Sequence, residues 1–113
     1  MKPKYRIEFL DEAVEFLNGL NEKAREKIYY NLKKSQIKND NTLFKKLKGE
    51  IWEFRILYKR TQYRLFAFWD KTDKKDTLVI STHGIEKKTQ KTPKKEIEKA
   101  ENLRKQYFNE LKK

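Results

Sequence analysis

Ile51-Trp52-Glu53-Phe54-Arg55-Ile56-Leu57-Tyr58, a break at Lys59-Arg60-Thr61-Gln62, and then Tyr63-Arg64-Leu65-Phe66-Ala67-Phe68-Trp69 decide how this chain folds. In the first run Trp52, Phe54, Ile56 and Tyr58 alternate with Ile51, Glu53, Arg55 and Leu57, a period of two that reads as a strand. The second run follows a short polar break, so the two read as an antiparallel pair. With Arg60-Thr61 as the central turn, Leu57 faces Arg64 and Arg55 faces Phe66. Directly opposed residues share a face. Arg55, Leu57, Arg64 and Phe66 are then expected on one side of the sheet. Trp52, Phe54, Ile56, Tyr63, Leu65 and Ala67 are expected on the other, packed against helices. Two guanidiniums beside an aromatic ring suit a phosphate with an adjacent stacked base. The plainer alternative is a half-exposed face whose arginines are solvated or paired with Glu53.

Working outward, residues 70–76 read as a polar turn, and a third strand is expected from Thr77 to about His83, completing an antiparallel meander. Pro93 stands where a helix would begin. Ile97, Ala100, Leu103, Arg104, Tyr107, Phe108 and Leu111 follow at helical spacing, a face that can dock on the sheet. On the N-terminal side, Tyr5, Ile7 and Phe9 alternate with Arg6 and Glu8 as a short strand. Asp11 is a candidate cap for a helix carrying Ala13, Val14, Phe16, Leu17 and Leu20 on one face. Gly19 lies near its end, and Asn21 can cap a second helix in which Ala24, Ile28 and Leu32 recur. The two make an αα-hairpin. Lys38 to Thr42 is a loop by composition. The expected fold is therefore α+β: an N-terminal strand and helix hairpin, a meander sheet and a C-terminal helix, in one domain over residues 1–113.

Composition bounds the partners. A formal charge of +12, from 29 Lys and Arg against 17 Asp and Glu, suits nucleic acid, an acidic protein or an anionic surface. No apolar run approaches a membrane span. The stretch Met1-Lys2-Pro3-Lys4-Tyr5 leads into no signal-type run, and a cytoplasmic location is expected. The absence of cysteine excludes disulfides and thiol chemistry, and with a single histidine it argues against zinc. There is no phosphate-cradling glycine motif and no support for a Ser-His-acid arrangement. Carboxylates sit among lysines on helix faces and read as solvated pairs.

Three groups remain as candidates. Arg55 and Arg64 share a strand face. His83 stands at a strand end before Gly84, where a neutral imidazole can move a proton near neutral pH. A lone histidine more often bonds a nearby backbone carbonyl. Lys87, Lys88, Lys91, Lys94 and Lys95 follow the last strand, and Lys45, Lys46 and Lys48 precede the first of the meander. Read together, the lysine clusters form two basic rims around an arginine-bearing face.

The string Leu47-Lys48-Gly49, Trp52-Glu53-Phe54-Arg55, Tyr63-Arg64, His83-Gly84-Ile85, Lys87-Lys88-Thr89 and Thr92-Pro93-Lys94-Lys95-Glu96-Ile97 resembles the RelE/ParE toxin superfamily, in particular its phage-derived, HigB-like branch. The resemblance spans about Tyr5 to Tyr107. It implies the toxin of a type II toxin–antitoxin system. Its RelE-like members are metal-independent mRNA endonucleases that act on the ribosome and leave a 2′,3′-cyclic phosphate and a 5′-hydroxyl. The implied partners are a HigA-like helix-turn-helix antitoxin, the ribosome and mRNA, with no cofactor. By the same resemblance, Arg55, Arg64 and Lys87 or Lys88 carry catalytic charge, and His83 is a possible acid or base. Lys45, Lys46, Lys48, Lys91 and Lys94 would contact RNA. The sequence departs from the RelE pattern at Leu57, where a second strand lysine is common, and it has no clear equivalent of the C-terminal catalytic tyrosine, since Tyr107 reads as core. A ParE-like inhibitor of a protein such as gyrase, and a basic RNA-binding module, are the alternatives.

Overall fold

A computed structural model describes residues 3–38, 40–72, 78–88 and 91–111. Its elements are β1 (Arg6–Phe9), α1 (Asp11–Asn18), α2 (Glu22–Ile37), β2 (Phe44–Lys48), β3 (Ile51–Tyr58), β4 (Thr61–Asp70), β5 (Leu78–Lys87) and α3 (Lys94–Leu111). The five strands lie in the order β1-β5-β4-β3-β2. Strand β1 runs parallel to β5, and the other neighbours are antiparallel. The fold is α+β with a C-terminal helix, as expected, and with one strand more. Most of the turn expected over 70–76, and Thr77, lie outside the described residues.

That extra strand is β2. Three of its five residues are lysines, so it carries little apolar alternation. It is nevertheless an edge strand, where lysine blunts pairing with other chains.

The central hairpin turns at Lys59-Arg60, one residue earlier than expected. Both residues have positive φ, 48° and 67°, as a two-residue hairpin turn of the left-handed type requires. Arg55 therefore stands directly opposite Arg64, Leu57 opposite Gln62, and Glu53 opposite Phe66. The pairing slips by two residues relative to expectation. An even slip leaves every side chain on its expected face.

Helices α1 and α2 cover the apolar face, burying Leu17, Ala24, Ile28 and Leu32 against Phe54, Ile56, Leu65 and Ala67. Asn21 caps α2 by accepting from the Ala24 N–H at 2.9 Å. Asp11 does not cap α1. Leu10 holds that position, its carbonyl accepting from the N–H of Ala13 and Val14, and Asp11 lies in the first turn, where its charge favours the helix dipole. Helix α3 lies on the opposite face, the one bearing the arginines. Its Ile97, Ala100, Tyr107 and Phe108 pack over Ile51, Phe66, Phe68 and Ile80. Phe66 is thus fully buried and is not available to stack a base, contrary to the sequence reading.

Gly84 is a close-approach position. A Cβ there would lie 2.3 Å from Phe16 Cδ2, because the Phe16 ring of α1 lies against the β5 backbone. Gly84→Ala is expected to cost about 1–3 kcal/mol through overpacking. Thermal denaturation checks this, and adding Phe16→Ala should recover part of the loss from the single change.

Candidate active site

The arginine face is divided by α3. Under the helix lie Phe66, Phe68 and His83. Beyond its N-terminal end, toward the Lys59-Arg60 turn, the face is open. Strand pairing sets the open rows: Arg55, Arg64 and Ile85 in one, Leu57, Gln62 and Lys87 in the next. Leu57 is 60% exposed.

Glu53 is the centre of the cluster. Two residues before Arg55, it shares that residue's face. Its Oε1 lies 3.5 Å from Arg64 Nε and its Oε2 3.9 Å from Arg55 Nε. Thr92, just ahead of α3, donates its hydroxyl to Glu53 Oε1 at 3.2 Å. Arg64, only 3% exposed, also donates Nη1 to the Tyr63 carbonyl (3.0 Å) and Nη2 to Gln62 Oε1 (2.7 Å). Its guanidinium is therefore fixed in place. Burial lowers its pKa, Glu53 opposes this, and Arg55 adds to it. The Arg55 side chain is 37% exposed and free to meet a ligand. The pairing with Glu53 and the exposure of Arg55 hold together: one arginine is anchored behind, and the other stands in front.

Lys87 faces the same opening. Burial pushes its pKa below that of an ordinary lysine, and the charges of Arg64, Arg55 and Lys45 push the same way, with Glu53 opposing. Lys88 is exposed just past the strand. Lys45 stands opposite Glu53 and so borders this face. Lys46 stands opposite Trp52 and belongs to the other face, so strand alternation splits the cluster. Lys48 and Lys94 meet at a cavity of about 240 Å³ between the β2–β3 turn and the first turns of α3. Lys91 is exposed in the segment before α3. Glu53, Gln62 and Thr92 join the site without having been named as candidates. The signal was present for the first two, since Glu53 is two residues from Arg55 and Gln62 two from Arg64.

His83 is 3% exposed and stacks on Phe66, centroids 4.8 Å apart. Its Nδ1 lies 3.0 Å from Thr82 Oγ1 and its Nε2 3.1 Å from Glu96 Oε1. A neutral ring protonated at Nε2 satisfies both, donating to Glu96 and accepting from Thr82. Burial pushes its pKa below 6.5; the Glu96 hydrogen bond opposes this, Lys99 reinforces it and Glu12 opposes it weakly. A histidine pKa lowered by folding means that the unfolded chain binds more protons below pH 6.5, so stability falls as pH drops through that value. His83→Gln is expected to lower the melting temperature at pH 7 and to flatten its decline between pH 7 and about 5.5. An unchanged melting temperature in that variant would show that the ring has no structural role.

No curated protein matches the chain in sequence. The family model described as Phage derived protein Gp49-like (DUF891) matches residues 15–105, which take in every side chain of this cluster. The chain belongs to this phage-derived Gp49-like family, which is related to the RelE/ParE-type toxins.

Proposed function

We propose that the chain is the toxin of a type II toxin–antitoxin pair and a metal-independent endonuclease that cuts mRNA on the ribosome, with the RelE/ParE fold and a HigB-like character. The observation that supports this most is the direct cross-strand pairing of Arg55 with Arg64, bordered by Lys45 and Lys87, in a Gp49-like chain. In the reaction a ribose 2′-oxygen gives up its proton to a general base and bonds to the adjacent phosphorus. The phosphorus–O5′ bond breaks, and the leaving oxygen takes a proton. The phosphorane between these steps carries extra negative charge, which fixed cations stabilise. Arg64 supplies a preorganised guanidinium, and Arg55 an accessible one. Lys87, with its lowered pKa, is suited to protonate the leaving oxygen.

Lys45, Lys48, Lys88, Lys91 and Lys94 would hold the RNA backbone. A HigA-like antitoxin with an acidic segment would cover the same charge in the cytoplasm. The test is induced expression followed by mapping of mRNA 5′ ends. In-frame cuts that require translation are expected. Growth arrest with intact mRNA would favour a gyrase-type protein target.

A further inference from the structure

A second concave site lies on the other face of the sheet, away from both arginines. It is a cavity of about 590 Å³ walled by Tyr5, Phe44, Trp52 and Trp69 and rimmed by Lys4, Lys38 and the carboxylate of Asp40, which Thr42 holds by two hydrogen bonds. Phe54, Phe44 and Trp52 form a continuous stack, with centroids 4.2 Å and 4.8 Å apart and interplanar angles of 18° and 27°. Phe54 and Phe44 are buried. Trp52, the last ring, is half-buried and borders the cavity, and Trp69 meets it edge-on at 6.1 Å. Lys46, on edge strand β2, stands opposite Trp52. Lys4, Lys38 and Lys46 are all exposed.

We propose that this cavity takes an unpaired nucleotide of single-stranded RNA. Its base would extend the aromatic stack beyond Trp52. The flanking phosphates would lie against Lys4, Lys38 and Lys46, and the Asn41 amide at the cavity wall offers both a donor and an acceptor to a base edge. Lysines spread around the rim, on a chain of net charge +12, match successive phosphates of a strand better than the single phosphate of a free nucleotide. The site is independent of the cleavage chemistry proposed above.

The chain has two tryptophans, and both line this cavity, so intrinsic tryptophan emission reports on it directly. Titration of the whole protein with an oligomer of riboadenosine is expected to quench that emission. An abasic ribose-phosphate oligomer of equal length should bind on the order of 10-fold or more weakly and leave emission unchanged. Lys4→Ala with Lys38→Ala, both at exposed positions, should weaken binding and reduce the slope of log affinity against log salt by about 1.4. In Arg55→Ala the quench should persist. Absence of quenching, equal quenching by the abasic strand, or loss of the quench in Arg55→Ala would overturn the proposal. So would quenching by adenosine monophosphate but not by the oligomer, which would make the ligand a free nucleotide.

Discussion

Arg64→Ala is expected to reduce mRNA cleavage on purified ribosomes on the order of 10²–10³-fold, and growth inhibition with it. The guanidinium is held by the Tyr63 carbonyl, by Gln62 and beside Glu53, so under the proposed function it acts as a fixed charge behind the accessible Arg55, stabilising a developing phosphorane without reorganising. The same change has a second consequence. Among the described residues, Glu53, with its side chain 4% exposed, would keep Arg55 at 3.9 Å and the Thr92 hydroxyl. Leaving one member of a buried ion pair alone costs about 3–5 kcal/mol. Lost activity in Arg64→Ala therefore mixes two effects. Arg64→Gln combined with Glu53→Gln separates them, because it removes both charges and keeps a polar side chain at each position. The double variant should regain most of the melting temperature and still fail to cleave. A well-folded double variant with wild-type cleavage would remove Arg64 from the mechanism.

Phe66→Ala should be the most destabilising single truncation near the site, at about 3–5 kcal/mol. Domain stabilities are only about 5–15 kcal/mol, so the folded population would be visibly reduced. Phe66 is fully buried, stacks on the His83 ring and lies beneath α3. Its removal empties the layer that holds α3 against the sheet. Through Thr92 it would also loosen the contact that fixes Glu53. Urea denaturation checks the magnitude. Phe66→Leu should lose far less, since it refills most of the volume. If Phe66→Ala and Phe66→Leu were equally stable, the α3 layer would not depend on this ring.

The faces of the central hairpin were legible because parity is robust. Any even slip in pairing leaves Arg55, Arg64, Glu53 and Gln62 together, so a misplaced turn did no harm to the site. The turn itself was not legible: Lys59 and Arg60 adopt positive φ without the glycine or asparagine that announces such turns. Strand β2 was hidden by its lysines. The side of the sheet taken by α3 was also hidden, because helical periodicity shows which face of a helix is apolar but not which face of the sheet receives it. That one choice buries Phe66 and His83 and leaves Arg55 open. The irregularity in β5 had no sequence signal either. There Phe66 pairs with His83 and Ala67 with Ser81, leaving Thr82 as the extra residue of a bulge.

The parallel pairing of Arg6 with Leu78 bears on how the molecule comes into being. Strand β1 is made before the other strands, yet its neighbour in the sheet among the described residues is β5, which is made after the rest. Contacts between such distant segments are slow to form, because the intervening loop must close before they contribute. The β3–β4 hairpin is local and can form while synthesis continues. The enclosing sheet and the α3 layer must wait until β5 and then α3 have left the ribosomal exit tunnel. Under the function proposed above, the ribosome would thus assemble a chain that acts on it in an order that withholds the finished site until β5 and α3 have emerged.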